Sequence, residues 1–183
     1  MTRPAHLKHA ERLTPNDVRP LVGADGPDLS SALQAIITWV TSTAFRERLM
    51  LESRFPLEND LPGFLLVNQL IYRGAARPTD LADAIGTGRS NVSKIVRRLE
   101  EADLVLRGPD PRDDRAVVVV LTGQGKKVAQ QILDAAGGEP WLVHPGWTKE
   151  EAKELERLLI KLAVSFDALP DHPLRNIAGV AFP

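Results

Sequence analysis

The 183-residue chain has no cysteine. That excludes a disulfide scaffold, a cysteine zinc site, an iron–sulfur cluster and a thiol redox switch. It also lacks an excess of either charge: 23 lysines and arginines face 24 aspartates and glutamates, a formal net charge of −1. Nothing global points to a polyanionic partner, so any such role has to come from local charge. Long apolar runs are missing as well. The longest, Ala116 to Leu121, is far too short to span a bilayer, and the start, MTRPAHLKHAERL, has no secretory apolar stretch. No membrane association is expected, and the expected location is the cytoplasm. At this length one domain, or one small domain with a helical annex, can fold without covalent staples. On these totals alone the chain reads as a small soluble enzyme.

Catalytic and cofactor signals are missing too. Gly86-Thr87-Gly88 lacks the third glycine of a dinucleotide loop and follows no strand. In Gly123-Gln124-Gly125-Lys126, Lys127 stands where a phosphate loop needs serine or threonine, and Val120 where it needs its first glycine. His6 and His9 have no carboxylate at ligand spacing between them, and His144 and His172 are far away in sequence. No Ser/His/Asp set or carboxylate pair stands out at catalytic spacing. No cofactor, metal site or enzymatic activity is expected.

What is present is a sequence of helical stripes interrupted once by β-branched runs. Residues 1–28 hold Pro4, Pro15, Pro20 and Pro27 without a sustained period, which predicts a flexible or strap-like arm. Leu33, Ile36, Ile37, Val40 and Ala44 then recur at spacings of three and four, predicting one long helix from Leu29 to about Ser53, with Asp28 or Ser30 as its cap. After Pro56 a second helix is predicted from Leu61 to Arg73. Pro78 sits in the first turn of a short helix that Gly86-Thr87-Gly88 ends, and a further helix runs from Arg89 to about Ala102. Leu104–Arg107 and Ala116–Leu121 flank the polar stretch Gly108–Arg115, which predicts a β-hairpin with a charged tip. Thr122 can cap a helix from Gly123 to about Ala136. Thr148 with Glu151 forms a capping box for a last helix that Pro170 stops.

Helix, tight turn, helix and hairpin together make a winged helix-turn-helix. The fold class is therefore mainly α with a small β-hairpin wing. Such a unit lays its second helix in the DNA major groove while the hairpin reaches the flank. Local charge agrees: from Arg73 to Arg98 six basic residues (Arg73, Arg77, Arg89, Lys94, Arg97, Arg98) outnumber Asp80 and Asp83, a surplus of four against a deficit of five elsewhere. Val92, Ile95, Val96 and Leu99 define the buried face and leave Arg89, Ser90, Asn91, Ser93, Lys94, Arg97 and Arg98 outward. Serine, asparagine and lysine near the helix start can meet base edges, whereas arginines further along more often hold phosphates.

From Pro78-Thr79-Asp80-Leu81-Ala82, through Ser90–Glu100 and Leu104-Val105, to Asp110-Pro111-Arg112-Asp113-Asp114-Arg115 and Val120-Leu121-Thr122, the chain resembles the MarR family. With the flanking helices the resemblance covers about residues 29–168. It implies a dimeric, ligand-responsive transcription regulator, more often a repressor than an activator, on a pseudo-palindromic double-stranded DNA operator. It implies a homodimer built by N- and C-terminal dimerisation helices, in 29–55 and 139–183, around a winged helix-turn-helix domain in 56–138. It further implies a small-molecule effector held between these parts, with Trp39, Phe64 and Tyr72 as candidate ligand residues. Two positions depart from the family pattern. Asp103 stands where a glycine is usual, in a turn aspartate tolerates. Asp114 replaces a residue that is basic in some members, which leaves wing contact to Arg112 and Arg115.

Blander readings stand beside these. Arg112 and Arg115 could instead pair with Asp110 and Asp113 to stiffen the hairpin, and Arg97 and Arg98 could form a solvated face. Trp39, Tyr72, Trp141 and Trp147 could simply pack. The alternative function is a winged-helix protein-interaction module without direct DNA readout.

Overall fold

The computed structural model describes residues 26–110, 113–137 and 146–167. Arg112, Trp141, the four histidines, and most of the N-terminal arm and of the C-terminal tail lie outside them. The chain divides between Phe45 and Arg46 into two compact units.

In the first unit Asp28, not Ser30, caps α1 (Leu29–Thr41). Its carboxylate accepts from Ser31 N at 2.7 Å, and its own N–H donates to Ser31 Oγ at 2.8 Å. The Trp39 ring stands edge-on to Phe45 at 4.5 Å. The single long helix expected to reach Ser53 is broken: Ser42 is extended, at φ −65° and ψ 147°, and α2 (Thr43–Glu52) begins after it. The cause lies in the hydroxyls of Thr41-Ser42-Thr43, which offer the backbone other partners. Ser42 Oγ donates to Trp39 O and accepts from Phe45 N, ending one helix and starting the next. An apolar period cannot register such a break, because the stripe continues across it.

In the second unit Arg54 (φ 53°) and Asn59 (φ 59°) turn the chain out of α2. Phe55 is buried against Phe64, their rings 5.4 Å apart and nearly perpendicular. Asp60 caps α3 (Leu61–Arg73), which ends at Gly74 in a positive-φ conformation. A two-residue strand β1 (Ala75–Ala76) follows, then α4 (Pro78–Ala84) and α5 (Arg89–Glu101). Asp103 takes the left-handed conformation expected of it, with φ 56°. Strands β2 (Val105–Asp110) and β3 (Asp113–Leu121) form the wing, in the sheet order β1-β3-β2.

The wing strands are longer than expected, since pairing continues through Gly108↔Val118 and Pro109↔Val117 up to a bulge at Pro109/Asp110. Proline is admitted because β2 is an edge strand, where a missing N–H costs no ladder bond. Strand β1 had no signal at all: two alanines carry no period.

Helix α6 (Gly123–Gly137) starts at Thr122, whose Oγ1 accepts from Gly125 N at 2.9 Å. A Cβ on Gly125 would lie 1.9 Å from Leu104 O, so only glycine lets this helix come so close to the start of the wing. Helix α7 (Lys149–Asp167) has its capping box: Thr148 N donates to Glu151 Oε2 at 2.7 Å and Glu151 N to Thr148 Oγ1 at 3.2 Å.

The core gathers Phe64, Leu66, Val67 and Leu70 of α3, Leu81 of α4, all four apolar residues of α5, Leu104, Val119 and Ile132. Each such side chain contributes about 1.5–3 kcal/mol by leaving water. The core thus fixes α5 from behind. No helix among the described residues is long and apolar enough to cross a membrane.

Candidate nucleic-acid interface

With Val92, Ile95, Val96 and Leu99 buried, helical geometry turns Ser90, Lys94, Arg97 and Glu101 into one outward stripe. All seven residues singled out on α5 (Arg89, Ser90, Asn91, Ser93, Lys94, Arg97 and Arg98) are exposed. Their surroundings differ. Arg89 and Lys94 have no ion-pair partner among the described residues. Asn91 Nδ2 donates to Thr87 Oγ1 at 2.9 Å and Ser93 Oγ to Arg89 O at 3.2 Å. Arg97 pairs with Glu101 at 2.9 Å, but both side chains are open to water, at 78% and 62% exposure. A pair so exposed is worth only a few tenths of a kcal/mol and releases Arg97 readily.

Both flanks of α5 are braced by ion pairs. On one, Arg98 takes Asp60 with two hydrogen bonds, Nη2 to Oδ1 at 2.7 Å and Nε to Oδ2 at 3.1 Å, and this bond raises the arginine's pKa. On the other, Arg107 of β2 reaches Glu100 at 3.2 Å and donates to Ser93 O at 3.4 Å. Neither Asp60 nor Arg107 stood out in the sequence. A partner 38 residues away has no local signature.

The wing is held by a residue counted above only as part of the basic patch. Arg77 donates Nε and Nη2 to Asp110 Oδ2, at 3.0 and 2.8 Å, and reaches Asp113 Oδ2 at 3.4 Å. It straps the start of α4 to both wing strands, and its hydrogen bond to Asp110 raises its pKa. The two wing aspartates therefore take Arg77. Arg115 stays exposed, and its guanidinium has no ion pair among the described residues. Its backbone N–H donates to Asp113 Oδ1 at 3.2 Å.

The local surplus of positive charge is thus partly spent. Arg73 is not at the surface: it is buried, its Nε donates to Gln69 at 3.1 Å, and burial pushes its pKa down. Arg77 and Arg98 are paired, and Arg97 is loosely so. Arg89, Lys94 and Arg115 remain as the exposed, unpaired cations on α5 and the wing among the described residues.

The three candidate ligand residues lie in different settings. Phe64 is fully buried in the core, Tyr72 is half-exposed on α3, and Trp39 is half-exposed on α1. None lines the cleft of about 730 Å³ bounded by Glu47, Met50, Leu51, Arg54, Phe55, Glu58, Asn59 and Leu61.

Comparison with known proteins gives a family match over part of the chain and a shared fold over most of it. Residues 61–117, from the start of α3 into β3, match the model of the MarR family. The chain is 29% identical over 132 residues to an uncharacterized HTH-type transcriptional regulator, YwaE, of Bacillus subtilis (strain 168), covering 70% of this chain and 77% of that protein. Two crystal structures share the fold. The transcriptional regulator Tm0710 of Thermotoga maritima is 24% identical, with a TM-score of 0.56 over 75% of this chain and 93% of its own. Apo wild-type MarR of E. coli is 22% identical, with a TM-score of 0.53 over 74% and 96%. YwaE and Tm0710 carry the names of transcriptional regulators, unlike the small enzyme that composition alone suggested. Residues 61–117 of this chain, with α5 and its outward polar stripe among them, are thus similar to the MarR family, and the winged helix-turn-helix fold is shared with the two crystal structures.

Proposed function

We propose that the protein is a dimeric, sequence-specific DNA-binding repressor whose operator affinity a small molecule modulates. MarR-family proteins typically dimerise and bind DNA; the finer roles here are our reading. The observation that carries it is the outward stripe of α5, polar along its whole length and braced on both flanks. In this reading Ser90, Asn91, Ser93 and Lys94 meet base edges, Arg89, Arg97 and Arg98 hold phosphates, and Arg112 and Arg115 reach the flank from the wing. The start of α5 supports it: Gly88 offers no side-chain cap, so the first amides stay available to a phosphate.

Residues 56–138 act as the DNA-binding part, and 29–55 with 139–183 as the dimerisation region. The exposed apolar side chains of α1 (Leu33, Ile36, Ile37, Val40) and of α7 (Leu158, Leu159, Leu162) support pairing with a second copy. A two-fold dimer sets the half-sites about 34–36 Å apart, one helical turn, which makes the operator pseudo-palindromic. An effector that favours another spacing of the two α5 helices lowers affinity by shifting populations. The cleft beside Phe55 and Leu61 is a better seat for it than Phe64, which has no exposed surface to offer.

Selection of bound duplexes from random DNA by the purified chain tests the reading. The expected result is an inverted repeat bound with strong salt dependence. Recovery of no enriched sequence, together with salt-insensitive binding, would overturn it in favour of a protein-interaction module.

A further inference from the structure

Asp60 performs two tasks with one carboxylate. Its Oδ1 accepts from Gly63 N at 3.1 Å, capping α3, and the same group receives Arg98 side-on at 2.7 and 3.1 Å. The seat is tight, since a Cβ on Gly63 would come within 2.6 Å of Asp60 Oδ2. The acid is set into the wall with a side chain only 12% exposed, while the Arg98 side chain is 45% exposed. A guanidinium carries five N–H donors. The two-point contact uses one on Nε and one on Nη2, and leaves three directed away from Asp60. Arg98 lies next to Arg97 in sequence, about 100° around the helix from the outward stripe. Its free donors therefore sit at the edge of the surface that Ser90, Lys94 and Arg97 present.

We propose that Asp60 is a positioning residue for operator recognition, holding the Arg98 guanidinium so that its three remaining N–H groups meet a backbone phosphate beside the groove. This rests on the reading of α5 as the DNA-reading helix. The pair is neutral overall, so its contribution is directional: a long side chain is fixed before binding, and less freedom is lost on association. Arg97, held only by an exposed neighbour on its own helix, has no such fixation.

The test uses the full chain, an operator duplex recovered by selection, and a scrambled duplex, with affinities measured between about 50 and 200 mM salt. Asp60→Asn keeps a side-chain oxygen for the cap but loses the charged clamp. It should lower the affinity for both duplexes roughly fivefold, the worth of one phosphate contact near physiological salt, and flatten the salt slope by about 0.9. Arg98→Lys, which cannot be gripped at two points, should lower both affinities similarly, and Asp60→Asn should add nothing on an Arg98→Ala background. If Asp60→Asn lowers the melting temperature but leaves the affinity for both duplexes unchanged where the variant is folded, the acid is structural and the proposal fails. If it tightens operator binding and steepens the salt slope by about 0.9, Asp60 neutralises Arg98 instead of aiming it, and the proposal fails. Absence of salt-dependent duplex binding by the unmodified chain would remove the DNA-reading role of α5 and this inference with it.

Discussion

Helices α1 and α5 are both 13 residues long and both amphipathic, yet they meet opposite fates. Helix α1 is the more apolar, and none of its residues is buried. Helix α5 carries four arginines and lysines and only four apolar residues, and all four are buried to within 1% of complete. Apolar content does not decide burial. Burial requires a complementary surface, which α5 finds in the core around Phe64, Leu70 and Leu81, and which α1 does not find within its own unit. The polar helix is thereby made rigid and its charged side is displayed. The apolar helix keeps a surface of the kind that marks an association site.

The largest expected effect tests the buried half of this contrast. Leu99→Ala should cost about 2–5 kcal/mol of unfolding free energy, read from urea denaturation. Leu29→Ala, at a highly exposed position of α1, should change it by less than about 0.5 kcal/mol. Equal losses would mean that α1 is packed in the working protein as deeply as α5.

The exposed half is broken by Ile36→Asp with Ile37→Asp. Sedimentation should show dissociation to monomers, and operator affinity should fall roughly 100-fold as two-site binding is lost, with the urea midpoint of the winged-helix core unchanged. A variant that stays dimeric would show that α1 is not the pairing surface. On α5, Arg89→Ala should weaken binding roughly fivefold and reduce the salt slope by about 0.9. An unchanged slope would remove Arg89 from the phosphate contacts.

The smallest effect sharpens the comparison at the helix starts. Hydrogen bonds from Ser31, backbone first, hold the Asp28 carboxyl below its ordinary value of 3.8. A depressed folded-state pKa gives stability that is present above the unfolded value and lost as pH falls through the folded one. The first turn of α1 should therefore loosen on acidification below about pH 4, whereas the start of α5, capped by Gly88 without a side chain, should not respond through a cap of its own. Amide exchange in each helix, with Asp28→Asn as a pH-insensitive reference, measures the difference.

Much of the fold was legible because its signals are local. The caps at Asp28, Thr122 and Thr148, the glycine-bounded turn before α5 and the left-handed Asp103 each depend on residues within a few positions of one another. The break at Ser42 was missed because hydroxyl bonding to the backbone leaves no trace in an apolar period, and β1 because two alanines have none. In the candidate interface, the exposure of α5's seven polar residues followed from the buried stripe. What each charge does there did not follow. The count of six basic residues treated Arg73 as surface charge, when it is buried, and treated Arg77 as patch, when it straps the wing through Asp110 and Asp113.

The sequence by itself determined the helix-turn-helix followed by a hairpin, the face that α5 buries and the absence of any thiol chemistry, since periodicity, capping and composition act along the chain. The tertiary structure alone decided which charges remain free. Ion pairs such as Asp60 with Arg98 join residues far apart in sequence, and their formation depends on how α3, α5 and the wing pack together.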